Sequence, residues 1–263
     1  MTRGYRKTGS AQAVASEVAS LAWLAQAADE CGGAPVVEVL GTGPTWIETR
    51  YVSEAAPTLQ AAEEFGRCLA RTHAAGADWW GQPPPGLAPE ALRTTNLAKP
   101  ASSRPVWGSW GEFFAEARIL PYVDQLRLSP DDDRLLRRAA DVIASGAWDA
   151  PQPGLCGEVA RIHGDLWGGN VLWTAGGGVL IDACAYGSHA EADLADLALF
   201  GSPHLDRTVA AYDEVSPLAD GWRDRVVVHQ LHMLLIHVVL FGGSYLGSTL
   251  RAAKKAAEPG YRG

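Results

Sequence analysis

The chain has 263 residues, of which 47% are hydrophobic, and a formal net charge of -8 at pH 7. This length is sufficient for a substantial core, either in one large domain or in two lobes. The acidic balance argues against nucleic acid or an anionic membrane as the main partner, and a polyanionic ligand would need local cations or metal ions.

Cysteine usage and the N-terminus favour a cytoplasmic protein with reduced thiols. The four cysteines (Cys31, Cys68, Cys156 and Cys184) form no C-x-x-C pair and have no zinc-finger spacing to a histidine. The first ten residues lack the apolar core of a signal peptide. The apolar segment 226–241 contains three histidines and a glutamine, which are costly in lipid, so we expect a buried helix and no membrane span.

The first part of the chain is predicted to be a small α+β segment. A short strand is predicted to end at Lys7, and Ser10 is predicted to cap an Ala-rich helix that continues to about residue 28. Strands are then predicted over residues 35–40 and 45–52, with a Gly-Thr-Gly-Pro turn between them.

The remainder is predicted to be mostly helical. Apolar periodicity predicts helices over residues 57–76, 110–128 and 131–145. Residues 81–109 are rich in Pro, Gly and Ser, which predicts a long surface loop. Two or three further helices are predicted to complete the chain.

The segment RIHGDLWGGNVLW, residues 161–173, places short polar side chains directly before a predicted β-hairpin. Asp165 follows His163 by two residues, and Asn170 follows Asp165 by five. A turn with three consecutive glycines and the return segment VLID, which ends at Asp182, complete the hairpin. Because a hairpin brings its entrance and exit together, we expect Asn170 and Asp182 to point at a common centre.

Two oxygen ligands at such a centre suit Mg²⁺, which completes its shell with water and substrate phosphates. Asp165 is then free to accept a proton. A loop Asp as base, with an Asn and a second Asp on Mg²⁺, is the set that phosphoryl transfer in protein kinases requires. Two other interpretations are an Asp and an Asn at ordinary turn positions, and a metal hydrolase that uses His163 and Asp165 as ligands. The hydrolase has few additional ligand residues nearby.

At these residues the sequence resembles the fructosamine kinases, also called ketosamine kinases. HGDLWGGN, residues 163–170, is similar to the family signature H-G-D-L-W-S-G-N, in which the Trp is the most distinctive letter. Family motifs are also similar to WGEFFAEARILPYV (110–123), IDACAYGSHAEADLADLALFG (181–201) and HQLHMLLIHVVLFGGSYLG (229–247). The resemblance therefore covers most of the chain from about residue 10.

The resemblance implies an α+β, protein-kinase-like two-lobe fold, near that of aminoglycoside and choline phosphotransferases. A small N-terminal lobe is expected over residues 1–52 and a mainly helical C-terminal lobe over residues 53–263, with the nucleotide between them. The family has two strands and a glycine-rich loop before its strand lysine, whereas six residues precede Lys7 here. The N-terminal lobe is therefore expected to be truncated, without the glycine-rich loop.

Roles for individual residues follow from the resemblance. Asp165 is implied as the base for a sugar hydroxyl, and Asn170 and Asp182 as ligands of the Mg²⁺ that bridges the ATP phosphates. Asp193 is implied as the buried brace of the catalytic loop, in which His163 is a supporting residue.

For the nucleotide, the resemblance implies that Lys7 contacts the α- and β-phosphates and pairs with Glu17. The hinge that meets adenine through its backbone is implied to be Thr49, Arg50, Tyr51 and Val52. Two residues are candidates for the acceptor side. Trp167 could stack on a sugar face or shape the loop from the core, and His189 could contact the sugar or cap a helix.

The implied function is ATP-dependent phosphorylation of a hydroxyl on a ketosamine, the sugar adduct of a glycated amine, whether small or protein-bound. Because the phosphorylated adduct would be labile, the role would be deglycation. Two alternatives stay open. One is a phosphotransferase for another small hydroxylated amine of the aminoglycoside or choline type, and the other is a nucleotide-binding protein without turnover.

Overall fold

The structure, a computed structural model, describes residues 3–94 and 97–259. It begins with strand β1 (Gly4–Thr8), helix α1 (Ala11–Cys31) and strands β2 (Val39–Gly43) and β3 (Trp46–Arg50). The strands form an antiparallel sheet in the order β1-β3-β2.

The ends of α1 are determined by local chemistry. The Ser10 hydroxyl accepts a hydrogen bond from the Ala13 N–H at 3.2 Å, as predicted for the helix cap. The helix continues to Cys31, beyond the predicted end, and Gly32 then takes the left-handed conformation of a helix C-cap. The prediction of a strand over residues 35–40 is wrong in its bounds, because only an isolated bridge at Val36 precedes β2.

The helical part begins with α2 (Leu59–Ala74), for which Thr58 is the N-cap. Helix α3 (Trp110–Phe114) continues through a π-helical turn (Ala115–Ile119) into α4 (Leu120–Val123), and α5 (Pro130–Ala144) follows. The predicted helix over 110–128 therefore ends five residues early, and the other two predicted helices are confirmed.

The prediction of a surface loop over residues 81–109 is wrong in an important respect. The described part contains a 3-10 turn (Pro89–Ala91) and two short paired strands, β4 (Arg93–Thr94) and β5 (Leu97–Ala98). Leu92 and Lys99 are buried. Parts of this segment are therefore buried, and Thr94 and Lys99 reach the site, whereas other parts, such as residues 103–106, are exposed as predicted.

The predicted hairpin is confirmed as β7 (Val171–Thr174) and β8 (Gly177–Leu180), with Val171 opposite Leu180. A second antiparallel pair, β6 (Ala160–Ile162) and β9 (Tyr186–Ser188), lies on either side of it in sequence. Gly178 allows close packing, because a Cβ there would be 2.7 Å from the Phe65 ring of α2.

The chain ends in helices α6 (Glu191–Phe200), α7 (Leu205–Val215), α8 (Trp222–Phe241) and α9 (Leu246–Ala256). By length and composition, the segment Trp222–Ser244 could cross a membrane, and half of its most apolar window is buried inside the protein. Helix α8 packs on α6 and α9. Its His229 and His232 are buried, as expected for a core helix.

Two hydrophobic clusters stabilise this arrangement. One joins α3, α4, α5, α8 and α9. The other joins α1, α2, the β7–β8 hairpin, α6 and α7, and includes Ile47 of the three-stranded sheet. The segment that carries the H-x-D-x-x-x-x-N motif connects β6 of the first cluster to β7 of the second.

Candidate active site

Three adjoining cavities form one trough. The sheet cavity, of about 330 Å³, lies between the three-stranded sheet and the hairpin. It shares Lys7 and Asp182 with a central cavity of about 270 Å³. The central cavity shares Thr94, Asp165 and Trp167 with a helical cavity of about 380 Å³, whose other walls come from α6, α8 and the start of α9. Asp165 therefore lies where the central and helical cavities meet.

A buried carboxylate holds the motif loop. Asp193 of α6 accepts hydrogen bonds from the backbone N–H groups of His163 at 2.7 Å and Gly164 at 3.0 Å, and from His73 Nε2 at 3.1 Å. Burial would raise the pKa of Asp193, but the His73 hydrogen bond and the neighbouring donors outweigh burial and lower it. The geometry fits the bracing role implied for Asp193.

The backbone of Gly164 also packs closely against that of Cys184. Its φ is +79°, and a Cβ there would be 2.2 Å from the Cys184 carbonyl oxygen. The Gly164 carbonyl accepts a hydrogen bond from the ammonium of Lys99, which is only 1% exposed. Lys99 was not identified from the sequence, because a lysine in a Pro- and Ser-rich segment has the appearance of a solvated residue.

His163 connects the motif loop to the hairpin exit. Its Nε2–H donates to the Ile181 carbonyl at 2.9 Å, and its Nδ1 accepts from the Asp165 N–H at 3.2 Å. Both ring nitrogens are therefore engaged by backbone. The predicted supporting role fits this geometry, whereas metal ligation by His163 does not.

The Asp165 carboxylate is oriented by two side chains. Its Oδ2 accepts a hydrogen bond from the Thr94 hydroxyl at 3.1 Å and a longer one from Asn170 Nδ2 at 3.4 Å. Thr94 was also missed from the sequence, because its contact with Asp165 spans 71 positions of the chain. A carboxylate fixed in this way at a cavity junction can accept a proton from a bound hydroxyl.

Asn170 and Asp182 both line the central cavity, as the hairpin argument predicted. The Asn170 amide donates from Nδ2 to the Asp165 carbonyl at 2.7 Å, which leaves its Oδ1 available as a ligand. Asp182 has a φ of +56°, which is rare for a residue other than glycine and is often retained at functional sites. An amide oxygen and a carboxylate on one cavity are donors suited to Mg²⁺.

Lys7 of β1 meets two carboxylates. Its ammonium is 2.7 Å from Glu17 of α1 and 2.5 Å from Asp182. Burial lowers the pKa of Lys7, but the two carboxylates together outweigh burial and raise it. Burial raises the pKa of Glu17, and Lys7 opposes this effect without cancelling it. The Lys7–Glu17 pair implied by the sequence is therefore present, with the lysine held in its charged form.

The four residues predicted as a hinge all line the sheet cavity. The N–H groups of Arg50 and Tyr51 already donate to the carbonyls of Glu38 and Arg3. These two N–H groups are therefore not available to a ligand in this cavity.

The helical cavity is mainly apolar and aromatic, and Trp167 lies at its border with the central cavity. The Trp167 ring is 43% exposed, which rules out the alternative that it is a core aromatic. Residues that were not predicted supply most of the other walls: Phe200, Met233, Ile236, Leu240, Phe241 and Tyr245.

His189 does not lie at the trough. It is 1% exposed, and burial followed by the neighbouring His229 lowers its pKa to about 4. Its Nδ1 accepts from the Glu191 N–H at the start of α6, at 3.2 Å, and its Nε2 contacts the Ala150 carbonyl at 3.3 Å. The prediction of a sugar contact is therefore replaced by the helix-capping alternative.

The metal-hydrolase interpretation finds no support within residues 3–94 and 97–259. The group of potential ligands found there is His189, Glu191 and His229, which lies in the core. Both oxygens of Glu191 accept hydrogen bonds from Arg225, at 2.8 and 2.6 Å. That guanidinium satisfies the carboxylate, so the cluster is explained as part of the fold.

Comparison with known proteins identifies the family of this chain. Residues 5–258 match the family model described as fructosamine kinase. The chain belongs to the fructosamine kinase family. It is 31% identical to the ketosamine-3-kinase of Mus musculus over 157 residues, which are 57% of this chain and 48% of that protein. It is 31% identical over 242 residues to a protein of Klebsiella aerogenes provisionally named ketoamine kinase, covering 87% of this chain and 76% of that protein.

The chain spans about half the length of the first curated relatives that it matches. Among solved structures, a provisionally named fructosamine-3-kinase of Thermobifida fusca aligns with a TM-score of 0.80 and 43% identity, over 92% of this chain and 79% of that one. A choline kinase of Streptococcus pneumoniae aligns at 0.58 and 12% identity, over 97% and 86%, and shares the fold alone. The predicted α+β, protein-kinase-like fold and the family resemblance are confirmed.

Proposed function

We propose that this chain transfers the γ-phosphoryl group of ATP to a hydroxyl of a ketosamine, with Asp165 as the base. The observation that carries the proposal is the position of the Asp165 carboxylate. It lies between two cavities. The central cavity is lined by two cationic side chains, Lys7 and Arg93, and by two candidate metal ligands, and the helical cavity has aromatic walls. Phosphoryl transfer needs this order of parts, because the acceptor and the nucleotide must approach in line.

The nucleotide would lie along the sheet and central cavities, between a small lobe of residues 1–52 and a larger lobe of residues 53–263. Adenine would occupy the sheet cavity against the segment from Thr49 to Val52. Lys7, charged and oriented by Glu17, would contact the phosphates. Asn170 and Asp182 would hold Mg²⁺, which when bound neutralises charge on the transferred phosphoryl group.

Asp165 would accept the proton of the attacking hydroxyl. Thr94 and Asn170 hold its Oδ2, and Asp193 fixes the loop that carries it, so little reorganisation is needed on binding. The acceptor is proposed to be a sugar adduct because Trp167 offers a partly exposed ring beside Asp165. Such a face suits an apolar sugar surface with a polar rim.

The name of the mouse relative, ketosamine-3-kinase, supports this substrate class. Phosphorylation would make the adduct labile, so the proposed role is removal of glycation from amines. A choline-like phosphotransferase is the second candidate, and the shared fold of the choline kinase is what favours it. A nucleotide-binding protein without turnover is less well supported, because an idle site has no physical need for a base beside two metal ligands.

The test is ADP release from Mg-ATP by the purified chain, with a small fructosamine, choline or an aminoglycoside as acceptor. Fructosamine-dependent release is expected, with little release from the other two acceptors. Release that depends on choline or the aminoglycoside alone would replace the ketosamine by the second candidate. Binding of Mg-ATP without release for any acceptor would favour the non-catalytic alternative.

A further inference from the structure

Large exposed aromatic side chains gather around the helical cavity. The exposed fractions are 43% for Trp167, 39% for Phe200 and 63% for Phe241. Trp167 contacts Phe200 edge-on with ring centroids 6.3 Å apart, and Phe241 lies 6.1 Å from Tyr245. Contiguous exposed aromatic surface of this kind marks a binding site more often than a feature of the fold.

The bend between α8 and α9 forms the outer part of this wall. Phe241 is the last residue of α8, and Tyr245 directly precedes α9. The ring of His237 lies 4.8 Å from that of Tyr245 and 4.7 Å from that of Phe200. It therefore connects the α8–α9 bend to the end of α6. Its Nδ1–H donates to the Met233 carbonyl at 2.8 Å, so this imidazole is engaged with its own helix.

The described lining of the helical cavity carries an acidic side chain but no lysine or arginine. The acidic group is the carboxylate of Asp165. A ligand carboxylate at the aromatic end would lose its hydration without gaining a cation, which is costly. An alkylammonium group would instead find ring faces, which attract cations.

We propose, building on the function proposed above, that Trp167, Phe200, Phe241 and Tyr245 form the subsite for the amine end of the ketosamine. This subsite selects adducts of amines with an apolar or aromatic substituent over adducts of amino acids with a free α-carboxylate. The secondary amine of such an adduct is cationic near neutral pH, as alkylamines are. With the sugar at Asp165, the ammonium and its substituent extend toward Phe241.

The test compares two fructose adducts that share the sugar and differ in the amine, one of benzylamine and one of glycine. We expect kcat/KM for the benzylamine adduct to exceed that for the glycine adduct by about tenfold or more. The benzylamine adduct gains contacts with the aromatic rings, whereas the carboxylate of the glycine adduct would be left unpaired. Phe241→Ala is expected to raise KM for the benzylamine adduct about five- to tenfold at nearly constant kcat. For the glycine adduct, the same variant should change KM less than about twofold.

Leu155→Ala is the matched control, because Leu155 is also exposed but does not line the trough. It should leave both adducts unchanged. Equal or better use of the glycine adduct by the unsubstituted chain, or an equal loss for both adducts in Phe241→Ala, would overturn the inference.

The affinity of each adduct, measured by calorimetry in the presence of Mg-ADP, tests the subsite without requiring phosphorylation. If neither adduct is phosphorylated, the proposed function fails. Tighter binding of the benzylamine adduct, weakened by Phe241→Ala, would still support the subsite. Equal affinities for the two adducts, or no binding of either, would refute it.

Discussion

The two ends of the trough differ in the kind of side chain that they present. At the central cavity, Lys7 lies between two carboxylates at 2.5 and 2.7 Å. At the helical cavity, aromatic rings dominate and Asp165 provides the acidic group of the described lining. Charged groups suit the phosphates, which are the same in every turnover, whereas shape and apolar contact can distinguish acceptors. Under the proposed function, chemistry and substrate selection would be located in different parts of the trough.

The junction between the two ends should show the largest effect. Asp165→Asn keeps the size of the side chain but removes the base, so kcat is expected to fall by about 10²–10⁴-fold. Binding of Mg-ATP and of ketosamine, measured by calorimetry, should change little, because each end keeps its own contacts. A variant that retains a tenth of the activity would mean that Asp165 is not the base.

Substitution at the charged end should impair phosphoryl transfer while leaving acceptor recognition intact. Lys7→Met is expected to lower kcat by about 10²–10³-fold, because a preorganised charge is lost from the phosphates, with little change in KM for the ketosamine. Arg6→Met is the control from the same strand, because Arg6 pairs with Glu48 at 2.6 Å and does not line the trough. Similar losses in both variants would attribute the effect to the strand and not to the site.

Asp193, the buried carboxylate that holds the motif loop, should contribute to the stability of the fold. Asp193→Asn is expected to lower the free energy of unfolding by about 3–5 kcal/mol, because His73 and the motif loop lose a buried carboxylate. The folded pKa of Asp193 is lowered, so its contribution is complete above the unfolded value of about 3.9 and is lost as the pH falls through the folded value.

Urea unfolding between pH 3 and pH 7 tests this prediction. The loss of stability on acidification should be smaller in Asp193→Asn than in the unsubstituted chain. Parallel pH profiles for the two proteins would mean that the carboxylate does not contribute through its charge.

Lys99 should have a smaller, positional effect. Lys99→Met removes the donor to the Gly164 carbonyl and leaves Gly164 held by Asp193. We expect kcat to fall by about tenfold, the scale of one lost hydrogen bond to a charged group, with both KM values nearly unchanged. Lys254→Met, on the exposed side of α9, is the control and should have full activity. Equal activity in the two variants would exclude a role for Lys99 in positioning the loop.

Local patterns allowed much of this arrangement to be predicted from the sequence. The Ser10 cap and the hairpin follow from neighbouring residues, so their positions were correct. The same hairpin geometry brought Asn170 and Asp182 to one cavity. The family motifs also identified Lys7 and its partner, whose contact depends on packing of α1 against the sheet.

The site residues that were missed reach the site through contacts between residues far apart in the sequence. Thr94 and Lys99 reach the motif loop from a segment whose composition is typical of exposed loops. His189 was a candidate for the sugar contact, but its side chain is buried in the core. Phe241 and Tyr245 lie in the family motif over residues 229–247 but were given no role, since the bend that brings them to the helical cavity has no local signature.

The most direct test of the account is to follow the labelled γ-phosphoryl group of Mg-ATP in the presence of a fructosamine. The label is expected to appear on the sugar of the adduct at the rate of ADP formation, and transfer in Asp165→Asn is expected to be slower by about 10²–10⁴-fold. Label found only as inorganic phosphate, or transfer in Asp165→Asn that keeps about a tenth or more of the unsubstituted rate, would contradict the claim that the two ends of the trough meet at a catalytic base.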